Sequence, residues 1–341
     1  MQTSRKYSFF GTLLWSKKYI LIFLVIDTIP VLVYNLFSAE WLLIPWQPIS
    51  LVGIGVAFYL GFKNNSSYDR LWEGRKIWGG IVNSSRSFTI MIRDYVNNEF
   101  TKEDVSQSDL HQDHIEIIHR HIAWLKALTF QLREKRNWEH HSDITHNSLR
   151  IEAGIHSKEN HFTKLKPYLS NEDYEYVMKK GNTASHILSL QSKALLKLKL
   201  EEKINTFNHI ELMKQLKSFY DLQGKSERIK NFPFPRRYAS VNFFFVWIFI
   251  CLLPFGMLTI FLNMNYANST WLAIPFSVLV SWVFIMMELV GEYSENPFEG
   301  LFNDVPITAM SRSIEIDIRQ MLEETDLPDE VEPIGKHGIL V

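Results

Sequence analysis

The sequence has almost no cysteine and no strong net charge. Its 341 residues contain one Cys, and the formal net charge at pH 7 is −1. A single thiol excludes a disulfide framework and a cysteine-rich zinc site. The near-zero charge excludes the overall basic field of many nucleic-acid-binding proteins, so we expect no nucleic-acid partner. With 15 Gly and 12 Pro, the chain is neither collagen-like nor of low complexity.

Charged residues are also missing from long stretches of the chain. No Asp, Glu, Lys or Arg occurs in residues 41–62 or 238–287. Residues 19–39 contain only Asp27. A helix needs about 20 apolar residues to cross a bilayer, and the longest stretch has a polar turn at 263–269. The sequence therefore predicts four transmembrane helices, at residues 19–38, 42–62, 240–262 and 270–290.

The alternative is that these helices form the buried core of a large soluble protein. Tryptophans near the ends of the stretches argue against it. Tryptophan is enriched at the membrane–water interface, which favours the lipid bilayer as the surroundings. Residues 1–18 are polar and aromatic, with no small-residue cleavage pattern after them, so we expect no cleaved signal peptide. The tryptophans concerned are Trp41, Trp46, Trp247 and Trp271.

Basic residues flank only one side of the predicted helices. The short loops at 38–40 and 263–269 contain no Lys or Arg. Because cytoplasmic loops carry the excess of basic residues, we expect both termini and the 63–239 segment in the cytoplasm, with the chain in the cell (inner) membrane. The flanking basic residues are Arg5, Lys6, Lys17, Lys18, Lys63, Arg70, Arg75, Lys76, Arg228, Lys230, Arg236 and Arg237.

The remaining segments are helical in pattern. Apolar residues recur every three or four positions in 111–135, and helices are also expected at 187–200 and 210–222. Residues 136–182 are more polar and predict shorter helices and loops. A last helix is expected at 307–323, followed by an extended acidic tail. The predicted fold class is an all-α membrane protein, divided into residues 1–62, 63–239, 240–290 and 291–341.

Catalytic and metal-binding patterns are largely missing. The chain has no HExxH, P-loop, GxSxG or kinase signature, so we expect no enzyme and no cofactor. Asp27 lies inside a predicted membrane helix, where an acid either has a function or bonds a neighbouring helix near Pro30. Several histidines are expected at the surface rather than on a metal, and these are His111, His114, His119, His121, His140, His141 and His146.

Two stripes run along the second predicted membrane helix. Ile54, Phe58 and Phe62 recur every four residues, and a small-residue stripe at 53, 57 and 61 runs beside them. Small residues let helices approach closely in lipid, so the bulky stripe is expected to face a central axis. Ordinary packing or lipid contact is the alternative. A polar run at 63–70 follows and is expected to continue the helix and meet ions or headgroups.

Motifs along the chain resemble those of the bestrophin family, in its bacterial branch. They occur in the family's order over most of the chain, and residues 136–182 match least. The matching segments are Gly61-Phe62-Lys63-Asn64-Asn65-Ser66-Ser67-Tyr68-Asp69-Arg70-Leu71-Trp72-Glu73-Gly74-Arg75, Trp78-Gly79, Asn83-Ser84-Ser85-Arg86, Gln223-Gly224, Glu227-Arg228-Ile229, Pro233-Phe234-Pro235, Leu253-Pro254-Phe255-Gly256, Gly291-Glu292 and Asn296-Pro297-Phe298.

The resemblance implies a homopentameric ion channel in a lipid bilayer. Each subunit would contribute four membrane helices and a large helical cytosolic body around one axial pore. The narrow neck of such channels is lined by three residues of the second membrane helix, and these match Ile54, Phe58 and Phe62. A second constriction near the cytosolic exit is also implied, at Ile187 or Phe207.

The sequence departs from part of this family in one segment. Calcium-gated animal members carry an acidic run after the Asn-Pro-Phe motif, whereas residues 299–304 here read Glu-Gly-Leu-Phe-Asn-Asp. Ca²⁺ takes about six to eight oxygen ligands, usually including several carboxylates. With only Glu299 and Asp304 in this segment, the sequence predicts no calcium gating and no metal site.

The neck residues implied by the resemblance predict which ions such a channel would conduct. Aromatic edges carry partial positive charge, so rings of Phe58 and Phe62 favour monovalent anions such as chloride. A monovalent-cation channel is the alternative, supported by Asp69 and Glu73 if these face the axis rather than neighbouring arginines. A membrane scaffold or sensor without conductance is an alternative of another class.

Overall fold

The structure, a computed structural model, describes residues 1–3, 8–102, 105–140, 162–264, 267–335 and 338–341. His141, His146 and the glycine at 154 lie outside these residues. Within them the chain is helical and contains no β-strand beyond two isolated bridges. The all-α fold class is therefore confirmed. The helices are α1 Phe9–Phe37, α2 Trp46–Tyr95, α3 Gln107–Arg133, α4 Asn171–Met178, α5 Thr183–Leu200, α6 Thr206–Asn231, α7 Arg236–Leu262, α8 Ala273–Glu292 and α9 Ile307–Gln320.

The chain forms two compact units. The first, called the apolar unit, contains Ser4–Arg70 and Pro233–Glu295. The second, called the polar unit, contains Met1–Thr3, Leu71–Phe232 and Asn296–Val341. Helix α2 contributes residues to both.

The apolar unit contains the predicted membrane helices. Four helices in the described part of the chain are long and apolar enough to cross a membrane, and they correspond to α1, α2, α7 and α8. Helix α1 packs against α7 and α8, which also pack against each other. Two hydrogen bonds show that α1 and α8 are antiparallel: Trp282 donates to Ser16 over 2.8 Å, and Thr270 donates to Asn35 over 3.1 Å.

Helix boundaries differ from the hydropathy prediction where a local cap decides them. Helix α1 begins at Phe9, ten residues before the predicted start, because the Ser8 side chain accepts from the Gly11 amide and caps the first turn. Helix α8 begins after a short 3-10 turn at Ser269–Leu272. Pro275 lies in its first turn, where backbone N–H groups have no acceptor within the helix. The missing N–H of proline therefore costs no helical hydrogen bond.

Helix α2 continues without a break from Trp46 to Tyr95. No proline follows Pro48 in this helix, so every later residue keeps its backbone N–H for the helical ladder. The polar run that begins at Lys63 is therefore helical, as the sequence predicts.

The polar unit has a core built around aromatic side chains. Trp124 of α3 and Phe219 of α6 pack with ring centroids 5.0 Å apart, and Phe88 of α2 meets Phe219 at 5.5 Å. The Trp124 indole donates to Gln223 over 2.9 Å, which satisfies its polar atom inside the core. Helix α3 also packs against α5 and α9.

Candidate functional site

The predicted stripe on α2 is exposed along its whole length. Ile54, Phe58 and Phe62 are 67%, 69% and 52% exposed, although each is a large apolar side chain. Residues four apart lie on one face of a helix, and eight residues rise about 12 Å. The three side chains therefore form a continuous apolar surface that no other part of the described chain covers.

The opposite face of α2 is packed inside the apolar unit. Ile49, Val56 and Leu60 are buried in a cluster with Phe249 and neighbouring side chains of α7 and α8. Gly53 belongs to this face, because a Cβ added there would lie 2.6 Å from the Phe249 ring. The helix therefore has one face fixed by packing and one face without intrachain contact.

This packing shows that the small stripe as a whole is not available to bring second membrane helices of different subunits together. Gly53 instead admits Phe249 of its own chain. Gly61 is exposed, and a Cβ added there would meet nothing within 4 Å. Ala57 is half-buried. Only the part of the stripe around Ala57 and Gly61 remains for contact with a second copy.

Polar residues lie at both ends of the exposed stripe. Gln47 is exposed and Ser50 is half-buried before it, and Ser66 and Asp69 are exposed after it. The apolar part from Leu51 to Phe62 spans about 18 Å, against about 30 Å for a bilayer core. A face in contact with lipid would be apolar over the full thickness, so this pattern favours a short constriction between two hydrated regions.

A buried polar group follows the stripe directly. Lys63 pairs with Glu288 of α8, and the two side chains are 1% and 2% exposed. Asn242 of α7 donates to the second carboxylate oxygen of Glu288, and Asn64 donates to the Met287 carbonyl over 3.0 Å. The prediction that Lys63 meets ions or headgroups is therefore wrong, because α7 and α8 enclose its ammonium group. The contacts fix the rotation of α2 next to Phe62.

The two phenylalanines of the stripe pack against each other. Their ring centroids lie 4.6 Å apart with an interplanar angle of 85°. In this geometry part of the positive edge of one ring is directed at the negative face of the other. The contact between Phe58 and Phe62 therefore occupies part of the aromatic edges that could attract an anion.

The two residues considered for a second constriction differ in their exposure to solvent. Ile187 of α5 is fully buried in the core of the polar unit. It cannot line a passage, and this half of the prediction is wrong. Phe207, in the first turn of α6, is 80% exposed, and Leu200, at the end of α5, is 75% exposed.

The two acids after the Asn-Pro-Phe motif have protein partners. Asp304 accepts from the Phe298 and Val305 amides over 2.7 and 2.6 Å and from Arg133 over 2.9 Å. Glu299 is fully buried and accepts from the His140 backbone and ring. Protein donors therefore occupy carboxylate oxygens that a calcium ion would need.

The acids considered for cation conduction differ in their surroundings. Glu73 pairs with Arg228 in the polar unit, which offsets its charge. Asp69 is exposed and accepts from Asn65 over 3.5 Å, one turn earlier on α2. Of the two predicted acids, Asp69 is the one that continues the exposed stripe.

The histidines of α3 are held by separate partners. His114 contacts the Val96 carbonyl, and His119 pairs with Glu324. No cluster of metal-binding side chains is found among the described residues. His121 is buried rather than at the surface, because Phe88, Trp124 and Phe219 surround it. Burial lowers its pKa to about 3.

Comparison with known proteins identifies the family. A model described as bacterial/fungal bestrophin protein matches residues 15–320. The chain therefore belongs to the bacterial and fungal bestrophin family, which confirms the resemblance found in its motifs.

Individual relatives agree with this assignment. The voltage-dependent anion channel-forming protein YneE of Escherichia coli O157:H7 is 27% identical over 84% of this chain and 80% of that protein. The voltage-dependent anion channel-forming protein RSc3414 of Ralstonia nicotianae is 28% identical over 83% of this chain and 79% of that protein. A bestrophin homologue from Klebsiella pneumoniae shares the fold, with a TM-score of 0.73 and 22% identity over 90% of this chain and 98% of that chain.

Proposed function

We propose that this protein is an ion channel that conducts monovalent anions such as chloride through an apolar neck formed by Ile54, Phe58 and Phe62. The observation that carries the proposal is the exposed apolar stripe with polar residues at both ends. Relatives named as voltage-dependent anion channel-forming proteins support the choice of anions.

The proposed assembly is a homopentamer with α2 of each subunit beside a central axis. One stripe exposes three side chains on one helix face and cannot enclose a pore alone. Several copies around an axis would cover these apolar side chains and form a ring at each of the three levels. The exposed, small Gly61 allows neighbouring helices to approach closely beside the ring. The number of five subunits rests on the family.

The proposed orientation places the polar unit and both termini in the cytoplasm and the apolar unit in the inner membrane. The Thr3 amide donates to the Gly338 carbonyl over 3.0 Å, and the Leu340 amide donates to the Met1 carbonyl over 2.7 Å. Both chain ends therefore belong to the same unit, in agreement with the distribution of Lys and Arg along the sequence.

The proposed gate works by dewetting. A narrow ring of Ile and Phe side chains does not hold continuous water, and ions cross when the ring widens. Phe207 is the proposed residue of the second constriction, because it is exposed on the polar unit at the start of α6.

Asp69 favours a second candidate function, a monovalent-cation channel. Its exposed carboxylate follows the stripe on α2, where five copies would place negative charge at one mouth of the neck. The two candidates predict opposite signs of reversal potential in asymmetric salt.

Current through the purified protein in a planar bilayer tests both candidates. With an anion channel, the reversal potential in asymmetric NaCl approaches the chloride equilibrium potential, and with a cation channel it approaches that of sodium. Alanine at Ile54, Phe58 and Phe62 together should raise the current, because removing bulky side chains lowers the apolar barrier. Val52→Ala, on another face of the same helix, is the matched control. Unchanged current in the triple variant would show that the stripe does not line the pore.

A further inference from the structure

The apolar unit contains a polar layer between two apolar clusters. The first cluster includes Phe23 of α1, Ile250 of α7 and Ile285 of α8. The second includes Val31, Leu258 and Ala273 of the same three helices. The layer between them contains Asp27 of α1, Pro254 of α7, and Ser277 and Ser281 of α8.

The residues of this layer lie within about one helical turn of one another. Val31 and Ala273 share the second cluster, and α1 and α8 are antiparallel. One turn from Val31 along α1 is Asp27, and one turn from Ala273 along α8 is Ser277. Helical side chains lean toward the N-terminus of their helix, so Asp27 of α1 and Ser281 of α8 lean toward each other.

The polar atoms of the layer have no protein partners among the described residues. Asp27, Ser277 and Ser281 are all 0% exposed. Both carboxylate oxygens of Asp27 and both serine hydroxyls lack a hydrogen-bond partner in that part of the chain. An isolated buried carboxylate is too costly to remain charged and uncompensated, so a proton or a cation must neutralise it.

Two prolines free further backbone oxygen atoms in the same part of α1 and α7. Pro30 and Pro254 lie inside α1 and α7 and have no backbone N–H. The carbonyls of Ile26 and Ile250, four residues earlier, therefore lack their usual helical donor. In membrane proteins, carbonyls exposed where a helix is interrupted are known ligands of Na⁺.

We propose that Asp27, Ser277 and Ser281, with the carbonyls of Ile26 and Ile250, bind one sodium ion inside the apolar unit. A proton on Asp27 would neutralise the carboxylate but would add only one donor to the layer. A small monovalent cation neutralises the carboxylate and is ligated by the surrounding oxygens together. The site contains none of the residues of the proposed neck and has a structural role in joining α1, α7 and α8.

Thermal unfolding of the purified full-length protein in detergent tests the proposal. Sodium chloride is replaced stepwise by choline chloride, so that chloride concentration and ionic strength stay constant. The wild type should show a saturable upward shift in Tm of about 2–5 °C with sodium, because a ligand that binds only the folded state stabilises it. Asp27→Asn should lose this shift, and Ser281→Ala should need more sodium for half of it. Glu40→Gln, an exposed acid of the same unit, is the matched control.

Three outcomes would overturn the proposal. The first is a sodium-dependent shift that persists in Asp27→Asn. The second is a wild type that is insensitive to sodium but loses stability as the pH rises, which would mean that Asp27 carries a proton. If Asp27→Asn does not fold, Ser281→Ala decides. The third outcome is then that Ser281→Ala reaches half of its Tm shift at the same sodium concentration as the wild type.

Discussion

Removing the ammonium group of Lys63 should strongly destabilise the apolar unit. Lys63→Met keeps most of the side-chain volume and leaves the Glu288 carboxylate with Asn242 as its remaining donor among the described residues. Both members of the pair are almost fully buried. Removing one partner of a buried pair costs about 3–5 kcal/mol, and a lone charge in a membrane helix costs about 3 kcal/mol. We therefore expect a loss of about 3 kcal/mol.

Thermal unfolding in detergent measures this loss. For a chain of 341 residues, about 3 kcal/mol corresponds to a decrease in Tm of about 4 °C. Arg86→Met is the matched control, because it breaks the Arg86–Asp317 pair, whose side chains are 45% and 29% exposed. An exposed pair contributes at most about 1 kcal/mol, so this variant should remain near the wild type.

A second substitution distinguishes charge from packing. Glu288→Gln in the Lys63→Met background removes the unpaired charge and keeps an oxygen that can accept from Asn242. It should restore most of the lost stability. Two results would refute this reasoning: a Lys63→Met effect no larger than that of Arg86→Met, or no recovery in the double variant. The second result would assign the loss to the packing of the lysine stem.

Three further outcomes are expected. Adding or chelating calcium should leave the channel current unchanged, because Arg133, His140 and backbone amides occupy Asp304 and Glu299; a clear calcium-dependent current in planar bilayers would contradict this. Gly61→Leu should leave the subunit folded, since a Cβ there has open space, but should weaken the oligomer, and an unchanged mass by light scattering would argue against close packing at this position. The His121 pKa of about 3 lies below its ordinary value of 6.5, so the unfolded chain binds the proton first as the pH falls. Between pH 7.5 and 5.5 this group should cost about 1 kcal/mol of stability, and His121→Gln should show a correspondingly smaller decrease in Tm.

Local patterns were enough to predict the membrane helices and the stripe. Gaps in charge locate α1, α2, α7 and α8, because the bilayer imposes its requirement on each helix separately. The four-residue spacing of Ile54, Phe58 and Phe62 places them on one face whatever surrounds the helix. Hydropathy does not predict the start of α1, because a single hydrogen bond to the Ser8 side chain sets it.

The burial of individual polar residues could not be predicted in the same way. Lys63 stands at the end of an apolar run, where a lysine usually reaches the membrane surface. Its partner Glu288 is 225 positions away along the chain, and no local pattern connects them. The burial of His121 depends likewise on Phe88 and Phe219, which belong to other helices.

The two faces of α2 explain why this unpredicted packing matters for the proposed neck. A ring of exposed apolar side chains can act as a gate only if each helix is held at one rotation about its axis, since one residue turns a helix by about 100°. On the packed face, Phe249 against Gly53 sets the separation of α2 from α7, and Lys63 with Glu288 sets its rotation beside α8. Ile54, Phe58 and Phe62 make no comparable contact in the described chain. Their direction is therefore determined by residues on the opposite face of the same helix, and a change at Lys63 should alter conduction as well as stability.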